Sequence, residues 1–210
     1  MRYIVVTLLF ILVYSTSFGQ VRSNKKERLA WTFSMGPTVG LMDGTRFSPT
    51  SIGGMIEPRV IFGSLGRDAS VSLGMPLMLS SFKQKYGVDS IIANGFAANI
   101  PIVLDFNFYH GAFKRPNRTF GFYFGAGWNF NYNSIGTANR EGVKENYDGL
   151  NHGVYTNGGI KFGFKNGVSF DVKVYASLTF ATPELTMYGV GLLYNFGMGK
   201  RSHGQGSGWY

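Results

Sequence analysis

Between Thr119 and Asn133 the chain reads TFGFYFGAGWNFNYN, and the two faces of that segment have almost nothing in common. Phe120, Phe122, Phe124, Ala126, Trp128, Phe130 and Tyr132 take the even positions, and Gly121, Tyr123, Gly125, Gly127, Asn129 and Asn131 the odd ones. Successive side chains of a strand point to opposite faces, so one face carries a row of rings and the other is small and polar. A water-soluble antiparallel sheet would bury such a face against a second layer. Here the alternation persists over the length that crosses a bilayer at a tilt, about 9 to 11 residues. That is the pattern of a transmembrane β-barrel, with lipid outside and a polar, side-chain-filled interior.

The same parity test predicts seven further strands: 29–39, 52–62, 71–79, 96–108, 154–164, 168–180 and 188–198. In the seventh of the eight, Val168, Phe170, Val172, Val174, Ala176, Leu178 and Phe180 face out, and Ser169, Asp171, Lys173, Tyr175, Ser177 and Thr179 face in. The links between strands sort into two kinds. Short ones at 63–68, 112–118 and 165–167, the last with an Asn-Gly turn signal, alternate with longer ones at 42–49, 80–95, 134–153 and 181–185. This alternation is required by an up-and-down barrel with short periplasmic turns and longer external loops. The expected fold is therefore all-β, an eight-stranded antiparallel up-and-down transmembrane β-barrel over residues 29–198, with both termini in the periplasm.

A mean hydropathy of +0.00 is far too low for a helical membrane protein, but a barrel hides its membrane signal in alternation. The chain has 30 glycines and no cysteine, so a disulfide framework and a thiolate metal site are both excluded. Arg2, the apolar run from Ile4 to Val13 and the small residues at Ser17 and Gly19 read as a signal peptide over 1–19, with the mature chain starting at Gln20. Residues 20–28 read as a basic periplasmic segment and 199–210 as a flexible periplasmic tail.

Charges sort by this topology without being used to build it. Arg22, Lys25, Lys26, Arg28, Arg67, Lys114, Arg115, Arg118, Lys165, Lys200 and Arg201 form a basic periplasmic collar against only Glu27 and Asp68. No charge falls on an expected lipid face, where each would cost about 2 to 4 kcal/mol at mid-depth. Glu57, Asp105 and Asp171 point inward, as do Arg59, Lys161 and Lys173. An eight-stranded barrel has room for little beyond its own side chains, so these six are expected to pair as a luminal charge network that plugs the interior. Tyr109, Tyr123, Tyr155 and Tyr175 are expected to add bulk there, and Met55, Ile61, Met78, Val103, Met187 and Leu193 to place apolar groups inside.

The last strand ends Gly191-Leu192-Leu193-Tyr194-Asn195-Phe196. Gly191 with Tyr194 and Phe196 resembles the signal by which outer-membrane barrels are recognised by the barrel-assembly machinery. Over 29–198 the chain is similar in architecture to the small eight-stranded outer-membrane proteins, OmpX- and OmpA-like barrels and the broader barrel group that includes PorT-like proteins. The resemblance implies a bacterial outer-membrane location, with lipid, the assembly machinery and other envelope proteins as partners.

No glycine-rich phosphate loop is present, and the net charge of +9 is spread over turns and termini without a nucleic-acid recognition element. His110, His152 and His203 lack metal-ligand spacing, and no cofactor or catalytic residue is expected. The leading expectation is a non-enzymatic, plugged barrel with a structural, adhesive or docking role through its loops and collar. Its rivals are a subunit of a secretion or surface-export machine, a narrow channel or carrier for small hydrophobic solutes, and a lipid A-modifying enzyme resting on His152.

Overall fold

The computed structural model describes residues 30–44, 48–65, 68–86, 91–109, 119–138, 144–164, 168–180 and 185–197. The expected signal peptide, the N-terminal basic segment and the tail lie outside them. Among the described residues there are nine strands: β1 (Ala30–Gly44), β2 (Thr50–Ser64), β3 (Ala69–Gly74), β4 (Leu77–Tyr86), β5 (Ile91–Tyr109), β6 (Phe120–Ala138), β7 (Lys144–Gly163), β8 (Val168–Thr179) and β9 (Leu185–Gly197). Both β3 and β4 lie between β2 and β5, so they are two halves of one stave, interrupted at Met75 and Pro76. Every pairing is antiparallel, and β1 pairs with both β2 and β9, which closes eight staves into a barrel.

The stagger of that closure can be read from the register. Starting at Thr32 on β1, successive partners are Arg59, Gly74, Val103, Gly127, Tyr155, Ser177 and Met187. Met187 returns to β1 at Met42, ten residues beyond Thr32. The shift has to be even, because an odd one would bring outward side chains round to the inside. With about 3.3 Å per residue and about 4.8 Å between staves, this stagger tilts the strands by about 40° and gives a backbone radius of about 8 Å.

Parity holds along the wall. Trp31, Met35, Val39, Ile52, Ile56, Leu79, Ile100, Ile102, Trp128, Val174 and Leu192 are exposed outside, whereas Met42, Met55, Met78, Val103, Tyr155 and Leu193 are at most 2% exposed inside. Rings concentrate at two levels of the outer face. Near the end where β1 begins and β9 ends, here the terminus end, Phe106 and Phe108 pair across strands with Phe124 and Phe122 at 5.6 and 4.8 Å. Toward the far end, Trp128 stacks on His152 at 5.6 Å and meets Phe180 at 5.9 Å. Two aromatic girdles about 25 Å apart bound the lipid-facing band of barrels that span membranes.

Two of the expected long links are largely strand. β4 runs on to Tyr86 and β5 begins at Ile91, while β6 runs to Ala138 and β7 begins at Lys144. Their outward residues here include Lys83, Asn94 and Asp148. The apolar alternation stops because this part of the wall has no lipid to face, yet the backbone ladder continues. β6 pairs with β7 as far as Ala138 and Lys144, whereas β8 ends at Thr179 opposite Gly153. The wall from β4 to β7 thus stands roughly 15 Å above the rim formed by β8, β9, β1 and β2, given about 2.5 Å of axial rise per tilted residue.

A direct check of the two faces uses one strand. Val174→Arg puts a cation on the outer face at mid-height and is expected to cost about 2 to 4 kcal/mol, blocking assembly. Thr179→Lys, inside and near the far mouth, is expected to give a folded barrel with heat-modifiable gel migration. Equal tolerance of the two changes would show that the outer face does not contact lipid.

Candidate functional site

The six inward charges come from β2, β5, β7 and β8 and collect at the terminus end of the lumen, in a layer about 8 Å deep by the tilt geometry. Glu57 and Arg59 share the inner face of β2 as neighbours two apart. Arg59 Nη2 donates to Glu57 Oε1 at 2.9 Å, and Arg59 Nε lies 3.3 Å from Asp105 Oδ2. Lys173 Nζ donates to Glu57 Oε2 at 2.9 Å across the lumen. All four are essentially without solvent contact.

Asp171 and Lys161 lie directly opposite one another on β8 and β7, but each is held by a different partner. Tyr123 donates its hydroxyl to Asp171 Oδ2 at 2.9 Å. Lys161 Nζ donates to Asn107 Oδ1 at 3.5 Å and sits 4.7 Å from the Tyr123 ring centroid. The guanidinium of Arg59 lies 4.9 Å from the same centroid. Tyr123 therefore sits at the hub, with Arg59, Lys161 and, at 5.9 Å, Lys173 against its ring while its hydroxyl serves a carboxylate.

Room for this crowd comes from glycines on the same face. A Cβ at Gly159 would meet the Tyr123 ring at 2.6 to 2.7 Å, and one at Gly125 would overlap Asp105 Oδ1. Of the expected tyrosine fillers, Tyr155 and Tyr175 are buried and stack at 6.2 Å above the charges. Tyr109 is a correction: it ends β5 with φ 58°, is 37% exposed, and packs its ring 5.8 Å from that of Phe122. A residue at the last position of a strand is released from the alternation that places its neighbours.

A layer of amides, not expected as a group from the sequence, lies beyond the tyrosines. Asn129 donates to Asn99 Oδ1 at 3.1 Å and to Ser177 Oγ at 2.7 Å, and Asn131 donates to Thr179 Oγ1 at 3.0 Å. The inner parity of β6 already held these asparagines, but their partners lie on staves whose relative height only the register gives. Along the same lumen runs an apolar cluster that includes Met55, Met78, Val103, Met187 and Met42.

The remaining candidate residues lie elsewhere. Gly191 faces the lumen on β9 beside Thr38, while Tyr194 and Phe196 form an edge-to-face pair at 4.4 Å on the outer side. His152 is on the outer wall against Trp128, away from any luminal group. His110, His203 and the basic residues of the expected collar fall outside the described residues. Among the described residues no three His, Cys, Asp or Glu side chains gather where they could hold a metal ion.

No protein-family model and no curated protein sequence matches the chain. Solved structures do. The attachment invasion locus protein Ail of Yersinia pestis, solved with the heparin analogue sucrose octasulfate, superposes with a TM-score of 0.51 at 14% identity, over 80% of this chain and 99% of Ail. Neisserial surface protein A superposes with a TM-score of 0.52 at 10% identity, over 80% of this chain and 98% of that one. At these identities the likeness establishes the fold, which is that of the small eight-stranded outer-membrane β-barrels.

Removing one member of the network leaves the rest unbalanced. Lys173→Met leaves Arg59 to serve both Glu57 and Asp105, and is expected to destabilise the barrel by up to about 3 to 5 kcal/mol, less where water reaches the layer. Adding Asp105→Asn restores the balance, and should recover part of the lost unfolding temperature. In planar bilayers the wild type is expected to give little steady conductance, with leak appearing in Lys173→Met. Robust ion-selective conductance in the unmodified protein would contradict a plugged lumen.

Proposed function

We propose that this protein is a non-enzymatic barrel of a bacterial outer membrane, closed along its axis by the charged layer, that docks partner proteins through the sheet standing above its rim. The observation that carries this reading is the open edge of β7. From Lys144 to Asn151 that strand pairs with β6 on one side and, among the described residues, with no strand on the other. Phe180 N donates to His152 O at 3.1 Å, so the even-numbered residues of β7 turn their backbone groups away from β6. Asn146, Asp148 and Leu150 are thereby left with backbone groups directed at a further strand. Such a row, raised clear of the bilayer, is a template on which an extended segment of another protein can add.

Further points support the reading. The girdled apolar belt suits a membrane, and lipid around it is the first partner; the barrel-assembly machinery, acting on Gly191, Tyr194 and Phe196, is a transient one. The name of Ail describes attachment and invasion, in keeping with a surface role for this fold. The basic collar expected from the sequence would meet phospholipid headgroups of the inner leaflet.

Site-specific photo-crosslinking in cells tests the assignment. A photoreactive residue at Leu150, on the raised sheet, is expected to capture a partner protein, and one at Leu65, at the terminus end, to capture none. Asp148→Pro, which deletes one edge donor, should lower capture at 150 while leaving assembly intact. Capture confined to position 65 would favour a subunit of an export machine facing the periplasm. No capture at either position would overturn docking.

A further inference from the structure

Most inward positions of this barrel carry hydroxyls, amides or charges, as the polar side of a membrane barrel does. Methionine breaks that pattern. Six methionines fall among the described residues, and four of them, Met42, Met55, Met78 and Met187, point inward and are at most 4% exposed. Met35 and Met75 take outward positions instead. The four come from β1, β2, β4 and β9, yet they are not scattered. Met42 and Met187 are direct partners across β1 and β9, and Met55 and Met78 are direct partners across β2 and β4. Partners on one face of an antiparallel pair have their Cβ atoms about 4.5 to 5.5 Å apart, within easy reach of two unbranched side chains.

Asn99 joins the two pairs. It faces Met78 across β4 and β5, two rungs beyond the point where Pro76 meets Pro101 and neither has an N–H to give. From there its Nδ2 donates to Met187 Sδ at 3.6 Å, although β5 and β9 stand on opposite sides of the wall. That bond shows where the sulphur of Met187 is aimed: across the lumen, to the residue beside Met78. Asn99 Oδ1 accepts from Asn129, so the amide turns only its donor to the sulphur. A thioether is a weak acceptor of such a bond, and its strength as a ligand lies in being soft and polarisable. The carboxylate next along β2, Glu57, two residues from Met55, is already held by Arg59 and Lys173.

We propose that these four methionines form a thioether site for one soft monovalent cation, of the class of cuprous and silver ions, entered from the far mouth. Thioether sulphur selects such ions, whereas magnesium and calcium call for oxygen and zinc for imidazole or thiolate. A neutral donor set also favours single charge, because a divalent ion stripped of its water would find no free anion there. The ion needs no cavity of its own. Flexible methionines close around it, and Met187 exchanges its hydrogen bond from Asn99 for the metal. Met42 and Met187 stand two residues from the far-mouth ends of β1 and β9, so the ion reaches them first. Beyond Met55 the cations Arg59 and Lys173 bar its way to the terminus end. The site shares no residue with the docking edge of β7.

The intact barrel in detergent micelles, its methionine methyl groups isotopically labelled, is titrated with silver nitrate in chloride-free buffer and followed by the methyl resonances. Met42, Met55, Met78 and Met187 should shift together and saturate at one ion per barrel, while Met35 and Met75 on the outer face stay in place. Excess magnesium or zinc should leave the silver-bound spectrum unchanged. Met78→Leu with Met187→Leu removes one sulphur from each pair while conserving side-chain volume. It should weaken silver binding by at least about tenfold, the scale on which even supporting groups act at a metal, with heat-modifiable gel migration retained. Met35→Leu should leave the affinity unaltered. Shifts spread evenly over inward and outward methionines would overturn the site, as indiscriminate binding of silver to thioethers. So would an affinity untouched by the double replacement, or displacement of silver by zinc. If the double variant does not assemble, the titration of the unmodified barrel decides, because inner and outer methionines of one molecule are compared directly.

Discussion

Eight staves closed with a ten-residue stagger enclose a cylinder about 8 Å in backbone radius, and the rest of the molecule answers to that dimension. The interior has to be packed with side chains, and half of the positions on each stave supply them. Where those positions carry charge, geometry decides whether the layer is tolerable, because an unpaired ion out of water costs several kcal/mol. Arg59 is shared by Glu57 and Asp105, and Glu57 by Arg59 and Lys173, so three contacts form one chain across the lumen. Tyr123 fits between Arg59 and Lys161 because Gly159 leaves space for its ring.

Parity is the part of this fold that the sequence spells out. Lipid and lumen are so different that a period of two separates Phe120, Phe122 and Phe124 from Gly121, Tyr123 and Gly125, and the same contrast locates every stave. Where that contrast ends, so does the signal. At 81–86, 91–94, 134–138 and 144–151 the alternation of apolar and polar residues is broken, and these stretches read as loops although their backbones stay paired. Tyr109 illustrates the same limit at a strand end.

The luminal partners were legible as to face but not as to height. Parity puts Asp171 and Lys161 inside, and adjacency on neighbouring staves makes them natural partners. Only the register shows Tyr123 at the level of Asp171 and Glu57 at the level of Lys173, because each stave is offset from the last by the stagger. The asparagine layer and the facing prolines were hidden for the same reason. Pro76 and Pro101 are 25 positions apart in the chain, and nothing in either neighbourhood marks the other as its opposite.

Among the described residues the ladder is open along β7 and again at Pro76 and Pro101, and the solvents at these two places differ. Along β7 the open groups stand beyond the girdle, where water can satisfy them at small cost. At Pro76 and Pro101 the break faces the bilayer core, so the wall needs another restraint to keep its staves together. The charged layer supplies one. Arg59 and Asp105 belong to β2 and β5, the staves on either side of the interrupted one, and their contact at 3.3 Å spans it on the luminal side. Gly74 of β3 lies between them without a side chain in the way; a Cβ there would come within 2.9 Å of Glu57 Oε1. Lys173 then ties the same cluster to β8 across the barrel. The ions thus act as a clamp across the interrupted stave. Ion pairs thereby join β2, β5 and β8 at the level where one stave is interrupted, which sets the rung that lacks its hydrogen bonds beside the layer that holds the salt bridges.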